Sequence, residues 1–287
     1  MRKLIERLII FFLGIPAVFA LIFFLPFYRH LPLNIAVIIF SALGAVEFSS
    51  MLGKKQIRVS KPEAFVLGSL APLAVTLTIS FNFPGEIIPV MLMAGALWAI
   101  ISLVFTRSEN IENIIYRLAG CILVTIYPGV FLLWIVKMNI WGITGAVFLF
   151  LLITFINDSA AWLTGSLFGK NNKGIIAVSP NKSLAGFLGG LFGSVVIASA
   201  AAYFFPSFFG RLQFSPDLLI KAVILGINTS ALATLGDLSE SAIKRCSDLK
   251  DSGNMILGRG GILDSIDSIA IAAPVFYFIY NVFFFSV

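Results

Sequence analysis

The chain has 287 residues, 59% hydrophobic and 12% charged, with a formal net charge of +6 at neutral pH. That charged share, set against about a quarter in soluble domains, and a mean hydropathy of +1.00 exclude a water-exposed globular fold. One histidine, His30, and two cysteines, Cys121 in an apolar run and Cys246 in a charged stretch, exclude imidazole metal sites, Ser-His catalysis and a disulfide framework.

Crossing a bilayer takes ~20 apolar residues per helix, and the sequence predicts nine such spans: 8–27, 33–52, 64–82, 87–105, 117–136, 140–158, 184–205, 217–235 and 266–286. The expected fold is therefore an all-α polytopic membrane protein. The first span follows Arg2, Lys3 and Arg7, but its apolar run is longer than that of a signal peptide, so it reads as a retained helix. With the N-terminus inside, 16 lysines and arginines fall on one side and four (Arg29, Lys137, Arg211 and Lys221) on the other. This asymmetry places the N-terminus in the cytoplasm and the C-terminus outside. Basic loops beside anionic lipid account for the positive charge, and no nucleic acid is needed.

The first five spans, residues 1–136, carry little chemistry. Pro16, Pro72 and Pro128 lie within apolar helices, where neighbouring helices can satisfy the freed backbone groups. Glu47 lies near the cytoplasmic end of span two, where it is either functional or simply reaches the interface. The loop Lys54–Lys61 sets topology.

Residues 137–287 differ, with expected cytoplasmic loops at 159–183 and 236–264. Asp158 ends span six, where it can face a polar cavity. Ser179-Pro180-Asn181-Lys182-Ser183 precedes a helix, as a phosphate site would or as an ordinary cap with a topology lysine would. Gly186, Gly189, Gly190 and Gly193, three and four apart, point to close helix packing.

The segment 236–268 then gathers Asp237, Glu240, Asp248, Asp251, Asp264 and Asp267 among Lys244, Arg245, Lys250 and Arg259, with glycines at 253, 258, 260 and 261. As a helix it would align Asp237, Ser241, Lys244 and Asp248 on one face. Asp264 and Asp267, three apart at the polar mouth of the last span, can ligate one hard cation, with Asp237 as third ligand. The helix dipole accounts for Asp264 but poorly for Asp267, a turn further into the apolar span. Cations around such a metal describe a polyphosphate site, and a membrane setting suggests a lipid substrate.

Ser239-x4-Lys244-Arg245-x4-Lys250-Asp251-x-Gly253, continuing to Gly258-x-Gly260-Gly261-Ile262-Leu263-Asp264-x2-Asp267, closely resembles the signature of the phosphatidate cytidylyltransferases, or CDP-diacylglycerol synthases. The block at 157–190, NDSAAW…FGK…SPNKS…G..GG, is similar to that family's second recurring block. The resemblance covers the C-terminal part of the chain; the first five spans match only in being hydrophobic.

It implies transfer of CMP from CTP to phosphatidic acid at the cytoplasmic face of the cell (inner) membrane, releasing pyrophosphate. It also implies dependence on Mg²⁺, a monovalent cation such as K⁺ sharing the site, and a homodimer. The metal would fall on Asp237, Asp264 and Asp267, and Lys250 and Asp251 join these as expected catalytic residues. Asp158, Ser179, Asn181, Lys182, Ser239, Lys244, Arg245 and Arg259 would bind substrate. Where the family pattern has Pro, His and Arg, this chain has Leu257, Arg259 and Ser265, so one titratable cation becomes permanent and one charge is lost. The alternatives are a CTP-dependent polyprenol or phytol kinase, with Asp158 as base, and, more weakly, a secondary transporter. No internal repeat supports the latter.

Overall fold

The computed structural model describes residues 14–105, 112–256 and 260–285. Among these there are helices and, two isolated bridges aside, no β-pairing. The helices are α1 Ile15–Phe23, α2 Phe27–Gly53, α3 Lys61–Phe81, α4 Ile87–Val104, α5 Ile114–Val124, α6 Phe131–Met138, α7 Thr144–Phe168, α8 Leu184–Phe204, α9 Pro216–Cys246 and α10 Leu263–Phe284. Eight helical stretches among the described residues are long and apolar enough to cross a membrane: α2, α3, α4, the α5–α6 run Ile114–Trp141, and α7 to α10. The chain is an integral membrane protein of all-α class. The first expected span, 8–27, begins outside the described residues, and α1 is its described part.

Two helices end later than hydropathy suggests. Span six was expected to stop at 158 and span eight at 235, but α7 runs on to Phe168 and α9 to Cys246. Hydropathy marks where a span turns polar, not where its backbone hydrogen bonding stops. Neither extension contains a proline, so each keeps its helical ladder. Asp158 and Asp237 consequently sit on continuous helix.

The chain divides into two compact units. One comprises residues up to Ile140 together with Ile243–Ile266; the other comprises Trp141–Ala242 together with the residues from Asp267 on.

In the first unit, α3 starts at a capping box. Ser60 accepts from the Glu63 N–H and the Glu63 carboxylate accepts from the Ser60 N–H. Glu63 also receives Arg117 at 3.2 Å and the Trp98 indole N–H at 3.2 Å. Pro128 opens the ladder between α5 and α6 into a π-helical turn, Thr125–Val130. The Ser41 hydroxyl lies 2.8 Å from the Pro128 carbonyl and 2.6 Å from that of Gly68, so its single proton is shared between them. A neighbouring helix thus contacts the backbone carbonyl of Pro128 itself.

In the second unit, Ser183 caps α8 by accepting from the Gly186 N–H at 3.1 Å. The α8 glycines set its packing on α7. A Cβ on Gly186 would stand 2.9 Å from the Ala161 carbonyl, and one on Gly190 would stand 2.8 Å from Asn157 Oδ1. The close packing expected from the glycine spacing is present. Gly190→Val is therefore expected to cost about 1–3 kcal/mol through overpacking. Thermal unfolding in detergent should show a lower Tm, and an unchanged Tm would contradict this packing.

Candidate active site

In the second unit, the extended parts of α7 and α9 and the first turns of α10 carry a polar cluster through otherwise apolar helices. Asn157 is buried; its Oδ1 accepts from Ser230 at 2.6 Å, and its amide N–H group lies 3.3 Å from Asp158 Oδ1. The Ser268 hydroxyl lies 3.4 Å from the same Asp158 oxygen. Asp267 is 7% exposed, its Oδ1 accepting only 2.6 Å away from the N–H of Ser268, and its charged neighbours are Glu240, Asp237 and Asp158. Glu240 is fully buried. Lys182 reaches from the loop before α8 to form an ion pair with Asp237. Gly236 makes room for α10, since a Cβ there would stand 2.4 Å from the Asp267 carbonyl.

Asp158, Asp237, Glu240 and Asp267 thus lie near one another in a largely buried setting, with Lys182 paired to Asp237. Buried carboxylates near one another cannot all ionise unless a proton or a cation compensates them. The donors are all hard oxygens, which suits a divalent cation such as Mg²⁺ rather than a soft metal. As the side chains stand, no group of three His, Cys, Asp or Glu among the described residues is gathered tightly enough to hold a metal. One or two carboxylates completed by substrate phosphate oxygens and water is the arrangement these residues fit.

In the first unit, Asp264 opens α10 and is engaged on both oxygens. Its Oδ1 takes Lys244 Nζ at 2.5 Å, and its Oδ2 takes the N–H groups of Ser252 at 2.9 Å and Gly261 at 2.7 Å. Gly260 has φ +108°, and a Cβ on it would meet that carboxylate at 2.7 Å, so glycine is required on both counts. This carboxylate is anchored by protein donors.

The remaining expected residues are more open. Lys250 and Asp251 are exposed, as is Arg245, which donates to the Leu249 carbonyl at 3.4 Å. The Ser239 hydroxyl donates back to Leu235 of its own helix at 2.7 Å. Ser179 and Asn181 lie in the irregular loop before α8, with Asn181 exposed. Arg259 and Leu257 lie outside the described residues, and the Ser265 hydroxyl donates to Gly261 at 3.4 Å.

The helical face expected through Asp248 is not formed. Helix α9 stops at Cys246, and Asp248 has φ 57° and pairs with Lys55 at 3.0 Å. Sequence reasoning passed over Glu240 and Asn157. Glu240 lies three residues after Asp237, a spacing that marks a shared helix face, and Asn157 adjoins Asp158.

The eight apolar helices among the described residues, with this clustered charge on three of them, define an integral membrane protein with a polar site suited to charged ligands. The model of the cytidylyltransferase family matches residues 5–283. A phosphatidate cytidylyltransferase of Haemophilus influenzae is 37% identical over 154 residues, which cover 54% of this chain and 47% of that protein. One of Staphylococcus aureus is 34% identical over 158 residues, 54% of this chain and 56% of its own. One of Bacillus subtilis is 31% identical over 252 residues, 86% and 88% of the two chains. In the first two comparisons the chain spans about half the length of its relatives. The chain belongs to the cytidylyltransferase family.

Replacing Glu240 by Gln removes one of the four carboxylates from the cluster. With divalent ions chelated, the Glu240→Gln protein is expected to melt above the native chain, by an amount on the order of 1 kcal/mol. An equal or lower Tm would contradict net repulsion at Glu240.

Proposed function

We propose that this protein transfers CMP from CTP to phosphatidic acid, yielding CDP-diacylglycerol and pyrophosphate. The carboxylate cluster of Asp158, Asp237, Glu240 and Asp267, with Lys182 paired to Asp237, on helices long enough to cross a bilayer, carries the reading. Family membership and the names of the relatives support it.

Mg²⁺ would be held by Asp237 and Asp267, where it would neutralise triphosphate charge. Asp264, the third aspartate expected to bind metal, is proposed to act with Lys244 in fixing the segment that precedes α10. Lys182, which pairs with Asp237, would supply a cation for phosphate oxygens. A phosphate monoester is largely dianionic at neutral pH, with its second pKa near ~6, so the attacking lipid phosphate needs no strong base. The work left to the residues is alignment and charge compensation, which this histidine-poor site can perform. The excess of lysine and arginine on one side supports a cytoplasmic site in the cell membrane. K⁺ beside Mg²⁺ and a homodimer are carried from the resemblance as parts of the same proposal.

The test is CTP-dependent pyrophosphate release by purified protein in detergent with Mg²⁺, with and without phosphatidic acid. Release requiring both lipid and metal is expected, and Asp237→Ala should lower it at least about 10²-fold while still folding. CTP conversion to CDP with a lipid alcohol would instead place the chain among lipid kinases. Full activity in Asp237→Ala would overturn the metal assignment.

A further inference from the structure

Glu47 lies near the end of α2, about two hundred residues before the charged segment, and is only 6% exposed. Its Oε2 accepts from the Leu263 N–H, the first of α10, at 2.9 Å and stands 3.1 Å from the Ser252 hydroxyl. That hydroxyl stands 2.9 Å from Asp264 Oδ2, so one proton is shared between two carboxylates, and its oxygen accepts from the Asp264 N–H at 3.2 Å. The other Glu47 oxygen, Oε1, is buried without a hydrogen-bond partner among the described residues.

The segment closes around this carboxylate through two glycines. A Cβ on Gly253 would stand 2.3 Å from Oε1, and one on Gly261 would stand 2.3 Å from Oε2 and 2.0 Å from Ser252 Oγ. Any larger residue at either place would push the carboxylate out. Burying a carboxylate with one oxygen unsatisfied opposes stability, so this contact is not explained as one that merely favours folding.

We propose that Glu47 is a positioning residue for the reaction. From α2 its carboxylate fastens Ser252 and the start of α10, and so holds Asp264 and its partner Lys244 in register. The consequence for turnover rests on the cytidylyl-transfer reading; the fastening of the segment does not. What matters is an acceptor oxygen at the Oε2 position. The carbonyl of glutamine can supply that oxygen, whereas alanine supplies none and aspartate falls short by one methylene.

The experiment compares Glu47→Ala, Glu47→Asp and Glu47→Gln with the native protein, using monodisperse material in detergent. Two quantities are read: kcat per folded molecule, and the rate of trypsin cleavage after the exposed Lys250. Losing a hydrogen bond to a charged group is expected to lower kcat about 10–100-fold in Glu47→Ala. Trypsin cleavage should accelerate by a similar factor, because the local opening it needs becomes easier. Glu47→Gln should restore both to within about threefold, and Glu47→Asp should fall between. A lower Tm with unchanged kcat per folded molecule would overturn the proposal, as would Glu47→Gln behaving like Glu47→Ala. If Glu47→Ala does not fold, Ser252→Ala takes its place with the same expectations. If the native protein releases no pyrophosphate, the reaction reading fails, and the trypsin rates still decide whether Glu47 fastens the segment.

Discussion

Acidic side chains buried on helices that are otherwise apolar are the constraint on which the site depends. Asp267 lies a turn into α10 with Glu240, Asp237 and Asp158 as its charged neighbours, and Lys182 pairs with Asp237. In a low-dielectric setting such a group is costly unless a cation or a proton compensates it. The local architecture serves this arrangement. Gly236 admits the α10 backbone, Gly190 leaves room for Asn157, and Asn157 in turn anchors Ser230 and lies beside Asp158.

The second charged group follows a different logic. Asp264 has its oxygens met by Lys244, Ser252 and Gly261, and Ser252 is in turn held by Glu47. Asp264 and Asp267 are three positions apart along one helix, yet one is satisfied by protein donors and the other sits among like charges. That contrast is the ground for proposing Asp237 and Asp267 as a ligand pair and Asp264 as a structural aspartate. It also gives Gly253, Gly260 and Gly261 a physical role: they let backbone close on carboxylates.

Much of this was legible in the sequence because the spans are long and apolar and the charged segment stands out against them. The family, too, was readable from the ordered spacing of Lys244, Arg245, Lys250, Asp251 and the glycines through Asp267. Helix ends were not legible where polar residues continue a helix, as in α7 after Asp158, whereas the helix expected from Asp237 is present as far as Cys246. Asp248 was misplaced for the converse reason, since nothing local in the sequence stops α9 at Cys246. Glu240 was within reach, three residues from Asp237 on a helix. The contacts of Glu47 with Ser252 and Leu263 were beyond reach, because they join segments some two hundred residues apart and no local pattern encodes them.

The central claim is that the carboxylates around Asp267 form a divalent-cation site, and Mn²⁺ binding followed by its paramagnetic resonance signal tests it most directly. The native protein in detergent should bind Mn²⁺ in competition with Mg²⁺, and Asp267→Asn should abolish that binding while remaining folded. Unchanged Mn²⁺ binding in Asp267→Asn would contradict the account.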